Sequence, residues 1–359
     1  MDLGIVLPAL TSFLALLMAV ALVDQWRVRR QPFQIVWAVG MAFFGIASGC
    51  EAIAAASGWN EALYRTWYLT GAVLTAGWLG LGTALLLAKT RFGYAIAFSI
   101  FMAGLFTLLT QRRFQYEGAG STPLLYFIGA GLLALAIAAE TYFQNERWPM
   151  FMAVGVGAAS ILALVLTITV PLAAPYSIDP ATGQPVADLF VDGTNVGTNI
   201  PGSLRLLTPF LNITGGFALA FGALFSAYVF MRKRRVLPYS LDPNQPGDHF
   251  LFNMFIAIPA LLVNFVASLP GAVRDLVQGR LHSRVPATLL IAAGGFVASA
   301  GDTLNRFGVT GPFAVAKLIA VILLLAGFLV SIEAFREVRV PFTSIRLAGL
   351  RREPERETA

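Results

Sequence analysis

Nine separate runs of roughly 20 largely apolar residues constrain this chain more than any other feature, because each can cross about 30 Å of hydrocarbon as a helix. They cover approximately residues 3–23, 33–57, 67–88, 93–110, 123–143, 149–173, 207–231, 286–303 and 312–334. A tenth run, 250–270, carries Asn253, Pro259 and Asn264 and is ambiguous. The composition agrees: 57% hydrophobic, 12% charged and a mean hydropathy of +0.73 leave too few charges to cover a water-facing surface. The expected fold is all-α, a polytopic transmembrane helix bundle of nine spanning helices plus one re-entrant or in-plane helix, with ten spans as the alternative.

The formal charge of +6 would suit a nucleic-acid binder, but the basic residues sit in short runs beside apolar segments, which is the signature of membrane orientation. No nucleic acid is expected. The first run has no basic residue before it, and Arg27, Arg29 and Arg30 directly after it. It reads as an uncleaved anchor with its N-terminus outside, despite a cleavage-like Ala19-Val20-Ala21. If 250–270 does not cross, the cytoplasmic loops hold 19 Lys and Arg against 5 outside; if it crosses, the counts become 11 and 13. The positive-inside rule therefore favours nine spans, a cytoplasmic C-terminus and a cytoplasmic-side element with Pro259 as a kink.

The chain divides accordingly. Residues 1–235 form a seven-helix bundle with an outside loop at 174–206, in which Asp179–Pro185 (DPATGQP) is a turn signal for a small hairpin. Residues 236–285 are the re-entrant or interfacial segment, 286–335 the last two spans and 336–359 a polar cytoplasmic tail.

Small residues four apart mark close helix contacts: Ala218, Gly222 and Ser226; Ala76 and Gly80; Gly155 and Ala159; Gly294 and Ala298. They serve packing within the chain or an oligomer interface. Trp26, Trp59, Trp67 and Trp148 fall at span ends as an interfacial belt, and Trp78 near mid-depth as core.

An ionisable group in hydrocarbon must be paired or turned inward. Counting 1.5 Å per residue from the outer ends, Glu51 lies about 9 Å deep, Asn212 and Lys317 about 8 Å, and Asp302 near the boundary. Arg306 and Arg65 sit just outside this candidate polar layer. A Glu51–Lys317 ion pair and an Asp302–Arg306 pair are expected, either as structural clamps or as the wall of an outward-facing polar pocket. Glu140 and Glu333 lie near cytoplasmic span ends and should reach the interface. His249 and His282 flank 250–270; with Arg280 and Arg284 they are either topology signals or a patch for anionic lipid headgroups.

Signatures of enzymes are missing. Ser299 lies in VASAG rather than GxSG, the two histidines form no zinc motif, and no phosphate-binding glycine loop follows a strand. Cys50 is the single cysteine, so no internal disulfide forms. No catalytic residue, metal or cofactor is expected. The segments Trp67–Thr83, Leu207–Gly216 and Ser283–Gly308 resemble parts of uncharacterised bacterial multi-spanning membrane proteins. That resemblance implies a multi-pass protein of the bacterial cytoplasmic (inner) membrane and transfers no activity. The function expected is a solute, ion or lipid binder or translocator, the alternative a non-catalytic scaffold or accessory subunit. Expected partners are membrane lipids and further membrane subunits or a second copy.

Overall fold

The computed structural model describes residues 2–116, 118–143, 145–172, 189–191, 194–197, 200–237, 250–278, 281–282, 284–306, 309, 312–330, 337–339 and 346–348. Its helices are α1 (Leu3–Arg29), α2 (Pro32–Ser57), α3 (Glu61–Trp67), α4 (Thr75–Leu86), α5 (Gly93–Phe114), α6 (Thr122–Tyr142), α7 (Trp148–Thr169), α8 (Gly202–Phe230), α9 (Phe250–Val277), α10 (Arg284–Arg306) and α11 (Phe313–Val330). A π-helical stretch, Tyr68–Leu74, joins α3 to α4 in one rod. Counting that rod as one, ten helices among the described residues are long and apolar enough to cross a membrane.

Two short antiparallel pairs accompany them, β1 (Leu189–Val191) with β2 (Thr194–Gly197) and β3 (Glu337–Arg339) with β4 (Arg346–Ala348). The turn expected at Asp179–Pro185 and the tail from Arg351 lie outside the described residues.

Local chemistry sets the helix ends. Asp2 accepts from Gly4 N at 2.8 Å and caps α1, and Asn60 accepts from Leu63 N at 2.9 Å and caps α3, each meeting an amide that lacks an intrahelical acceptor. Proline opens α2, and proline stands in the first turn of α6 and α7, where its missing N–H costs nothing.

The rods alternate in direction. Leu16 and Ser12 of α1 meet Gly45 and Gly49 of α2, and Trp37 and Ala47 of α2 meet Gly82 and Gly71 of the α3–α4 rod, so both pairs are antiparallel. The rod runs parallel to α8, with Gly77 against Leu211 and Gly222 against Thr83. Two ends can thus be defined: a basic end, where α1 closes with Arg27 and Arg29, and a loop end, where α2 closes at Ser57.

α10 meets α8 head to tail: Gly216 lies by Ser299, Gly295 by Ala220, and Phe230 stacks on His282. Since α8 finishes at the basic end and α10 begins there, α9 leaves the direction of the chain unchanged. Its neighbours agree. Phe255 pairs with Phe98, about 8 Å from the start of α5, while Asn264 and Ser268 bond the chain just beyond α8. α9 therefore packs against the basic end. It remains helical through Pro259 and Pro270, and Asn264 faces protein as polar groups at this depth require.

The small-residue lines are used inside the chain. A Cβ on Gly80 would stand 2.5 Å from the Gly215 Cα, Gly155 packs on Leu133, and Gly294 packs on Ala320 O and Leu324. With no hydrophobic drive between helices in lipid, such backbone approach supplies the attraction.

Candidate functional site

Glu51 is one and a half turns from the end of α2 and Lys317 one turn into α11, and the fold brings them together as a buried ion pair, 3% and 8% exposed. The Lys317 ammonium also lies 4.2 Å from the Phe313 ring centroid, one turn below it. Trp67 is the third member. Its Nε1 donates to Glu51 Oε1 at 2.7 Å. The carboxylate thus accepts from an ammonium and an indole, which offsets the desolvation of a charge at this depth.

Trp67 ends α3, and the π stretch begins at the next residue. A π turn carries about one residue more than an α turn, so it rotates the helix on its N-terminal side relative to the helix on its C-terminal side. Three polar contacts converge on this stretch. Trp67 reaches Glu51, the Tyr68 hydroxyl pairs with Thr208 Oγ1 at 2.9 Å, and Asn212 Nδ2 donates to Ala72 O at 2.8 Å. Thr208 and Asn212 are one turn apart on α8. The Asn212 Oδ1 and Thr214 Oγ1 atoms are buried and have no partner among the described residues. Around Glu51, rings of Trp59, Tyr64, Trp67 and Tyr68 succeed one another with centroids 5.6–6.2 Å apart, and Cys50 packs in the same buried cluster.

The rest of the expected layer goes elsewhere. Arg65 Nε donates to Glu61 Oε1 at 2.8 Å, and its guanidinium reaches the carbonyls of Thr167 and Val170, closing the C-terminal end of α7. It belongs to a second cluster. Asp302 is half-buried on α10, and the Arg306 side chain lies outside the described residues, as does any Asp302–Arg306 pair. Glu333 is likewise outside. A cavity lined by Tyr64, Arg65, Tyr68, Thr167 and Ile200 has a volume of about 10 Å³, roughly the space of one water molecule.

Two of the tryptophans expected in the interfacial belt are buried instead. Trp67 serves Glu51, and Trp148, 1% exposed, donates to Ala88 O at 3.0 Å. A buried indole needs an acceptor, and both find one. Trp78 does pack inward, against Phe43 and Ser160. Glu140, expected to reach the interface, is half-buried, with Oε2 sealed from solvent and unpartnered among the described residues.

Trp67, Tyr68 and Thr208 are the members that counting depths along the sequence overlooks. The one signal in the sequence was the Thr208–Asn212 spacing of four, which puts two polar groups on one face of α8. Comparison with protein-family models, curated proteins and solved structures finds no match to this chain.

Proposed function

We propose that this integral membrane protein binds a small polar solute or ion at the centre formed by Glu51, Lys317 and Trp67 on the π stretch, from the loop end. The observation that carries this reading is a paired carboxylate and ammonium held within a spanning bundle beside a π-helical segment. Intramembrane charges and π segments both occur frequently at functional sites. The unpartnered Asn212 Oδ1 adds an acceptor on the facing helix. The conformation described is closed, since the adjacent cavity holds about one water. In this reading the basic end faces the cytoplasm of a bacterial inner membrane, and no catalysis is involved.

Cys50 is a native reporter for the test, being the single cysteine, buried, and next to Glu51 in the chain. In proteoliposomes it should react slowly with an impermeant maleimide from the loop side. Sodium, potassium or a zwitterionic amino acid, used as probes, should change that rate in wild type and not in Glu51→Gln. A Cys50 that stays inert with every probe, and whose labelling is unchanged in Glu51→Gln, sinks the binding reading.

A second reading is a scaffold or accessory subunit of a membrane complex. It is favoured by the close backbone packing at Gly80–Gly215 and Gly294–Ala320, which makes a rigid bundle with little internal space. Stoichiometric co-purification of another membrane chain in mild detergent would support it.

A further inference from the structure

The two charges of the buried pair are held separately as well as together. Trp67 Nε1 donates to Oε1 of Glu51 at 2.7 Å, whereas Lys317 takes Oε2. The Lys317 ammonium in turn lies 4.2 Å from the ring centroid of Phe313 on its own helix. Each charge therefore keeps one neighbour when the pair parts: the carboxylate its indole, the ammonium its ring. Lysine carries its charge on a flexible four-carbon stem, so the ammonium can draw back over Phe313 while α11 stays in place.

Polar atoms without partners stand on both sides of the pair. Toward the basic end, Ser48 precedes Glu51 by one turn on the same side of α2; it is 1% exposed, and its Oγ has no partner among the described residues. Toward the loop end, Asn305 is 8% exposed, and its Oδ1 is likewise unpartnered among them. Asn305 lies one turn beyond Gly301, which packs on Ala316, the neighbour of Lys317 in the chain. Buried polar atoms are nearly always hydrogen-bonded, so two exceptions flanking one ion pair mark a place where a polar ligand supplies what the protein lacks.

Charge decides what that ligand is. A bare cation at Glu51 displaces Lys317 and leaves an ammonium without a counter-charge in hydrocarbon; a bare anion at Lys317 does the same to the carboxylate. A molecule carrying both an ammonium and a carboxylate replaces one ion pair with two, and the net charge inside the membrane stays zero.

We infer that the centre binds a small zwitterion of the amino-acid class, its ammonium on Glu51 Oε2 and its carboxylate on Lys317. This rests on the binding reading above and names its ligand. Ser48 Oγ then has a ligand group to bond, and Asn305 Oδ1 is an acceptor on the side toward which Lys317 withdraws.

The test uses the full chain in uncharged detergent and follows thermal unfolding with glycine or γ-aminobutyrate, against sodium chloride, ethylammonium chloride, sodium acetate and ethylammonium acetate at equal concentrations. In wild type at least one zwitterion should act at a concentration roughly tenfold lower than any salt, because its two charges arrive already joined. The double variant E51Q/K317M carries neither charge and should not respond to the zwitterions. K317M alone should exchange ligand class, with ethylammonium stabilising it more than glycine does, since Glu51 is left without a counter-charge. The comparison between zwitterions and their separate halves within wild type decides the matter even where a variant fails to fold. Stabilisation of wild type by sodium or ethylammonium as strong as by either zwitterion overturns the proposal and leaves the binding reading standing, with a cation as ligand. A zwitterion effect that persists in the double variant overturns it as a general solute effect. No response to any probe, with Cys50 labelling also unchanged by all of them, removes the binding reading itself.

Discussion

Glu51 and Lys317 meet because each alone would leave a charge in hydrocarbon, and their pairing was legible from depth alone: few ionisable residues interrupt the spans, and two of opposite sign lie at one level. Trp67 was not legible. Its position at a span boundary suggests a belt residue, and the contact that turns it inward depends on a change of helical phase invisible to a constant 3.6-residue count. Glu51→Gln or Lys317→Met alone should lower stability in detergent by about 3 kcal/mol, because the remaining partner loses its counter-charge. The double variant should recover much of that loss. Thermal unfolding of the four proteins checks this, and additive losses would mean that the pair contributes nothing as a pair. Trp67→Phe removes one donor from the carboxylate and should cost about 1–2 kcal/mol in the same assay.

Among the elements, long apolar runs announced every spanning helix, since a segment of that length has no other way to satisfy its backbone in lipid. Their ends were less legible. α1 continues through Asp24 to Arg29, and α3 starts at Glu61 because Asn60 caps it, although Glu61 and Arg65 look like loop residues by hydropathy. The glycines separate into two populations that sequence spacing alone does not distinguish. Gly215 lies against the Ala76 carbonyl, whereas a Cβ on Gly129 or Gly157 would meet nothing within 4 Å. Gly215→Ala should therefore prevent normal approach of α4 and α8 and cut the yield of folded protein. Gly129→Ala and Gly157→Ala should be neutral or stabilising by about 0.5–1 kcal/mol, through helix propensity. Size-exclusion profiles and unfolding curves distinguish these outcomes; a Gly215→Ala protein indistinguishable from wild type would mean that the two backbones are not in contact.

For the whole molecule, the distribution of Lys and Arg pointed to nine net crossings, while ten helices among the described residues are long and apolar enough to cross; the antiparallel meeting of α8 and α10 puts both ends of the intervening segment at the basic end. In a Cys50→Ala background, Ser240→Cys and Gln278→Cys flank α9 and should be labelled by an impermeant thiol reagent from the same side of the membrane. Labelling from opposite sides would restore a crossing there. With α9 set apart at the basic end, the other nine rods have an electrical consequence. Five of them, α1, the α3–α4 rod, α6, α8 and α11, run toward the basic end and four return, so the helix macrodipoles do not cancel. One remains, equivalent to roughly half an elementary charge at each end, with its negative pole at the basic end. The uncovered carbonyls of the rods finishing there thus provide a weak field that favours the guanidinium groups of Arg27, Arg29 and Arg232, and the bundle's own polarity reinforces the charge asymmetry written in its loops.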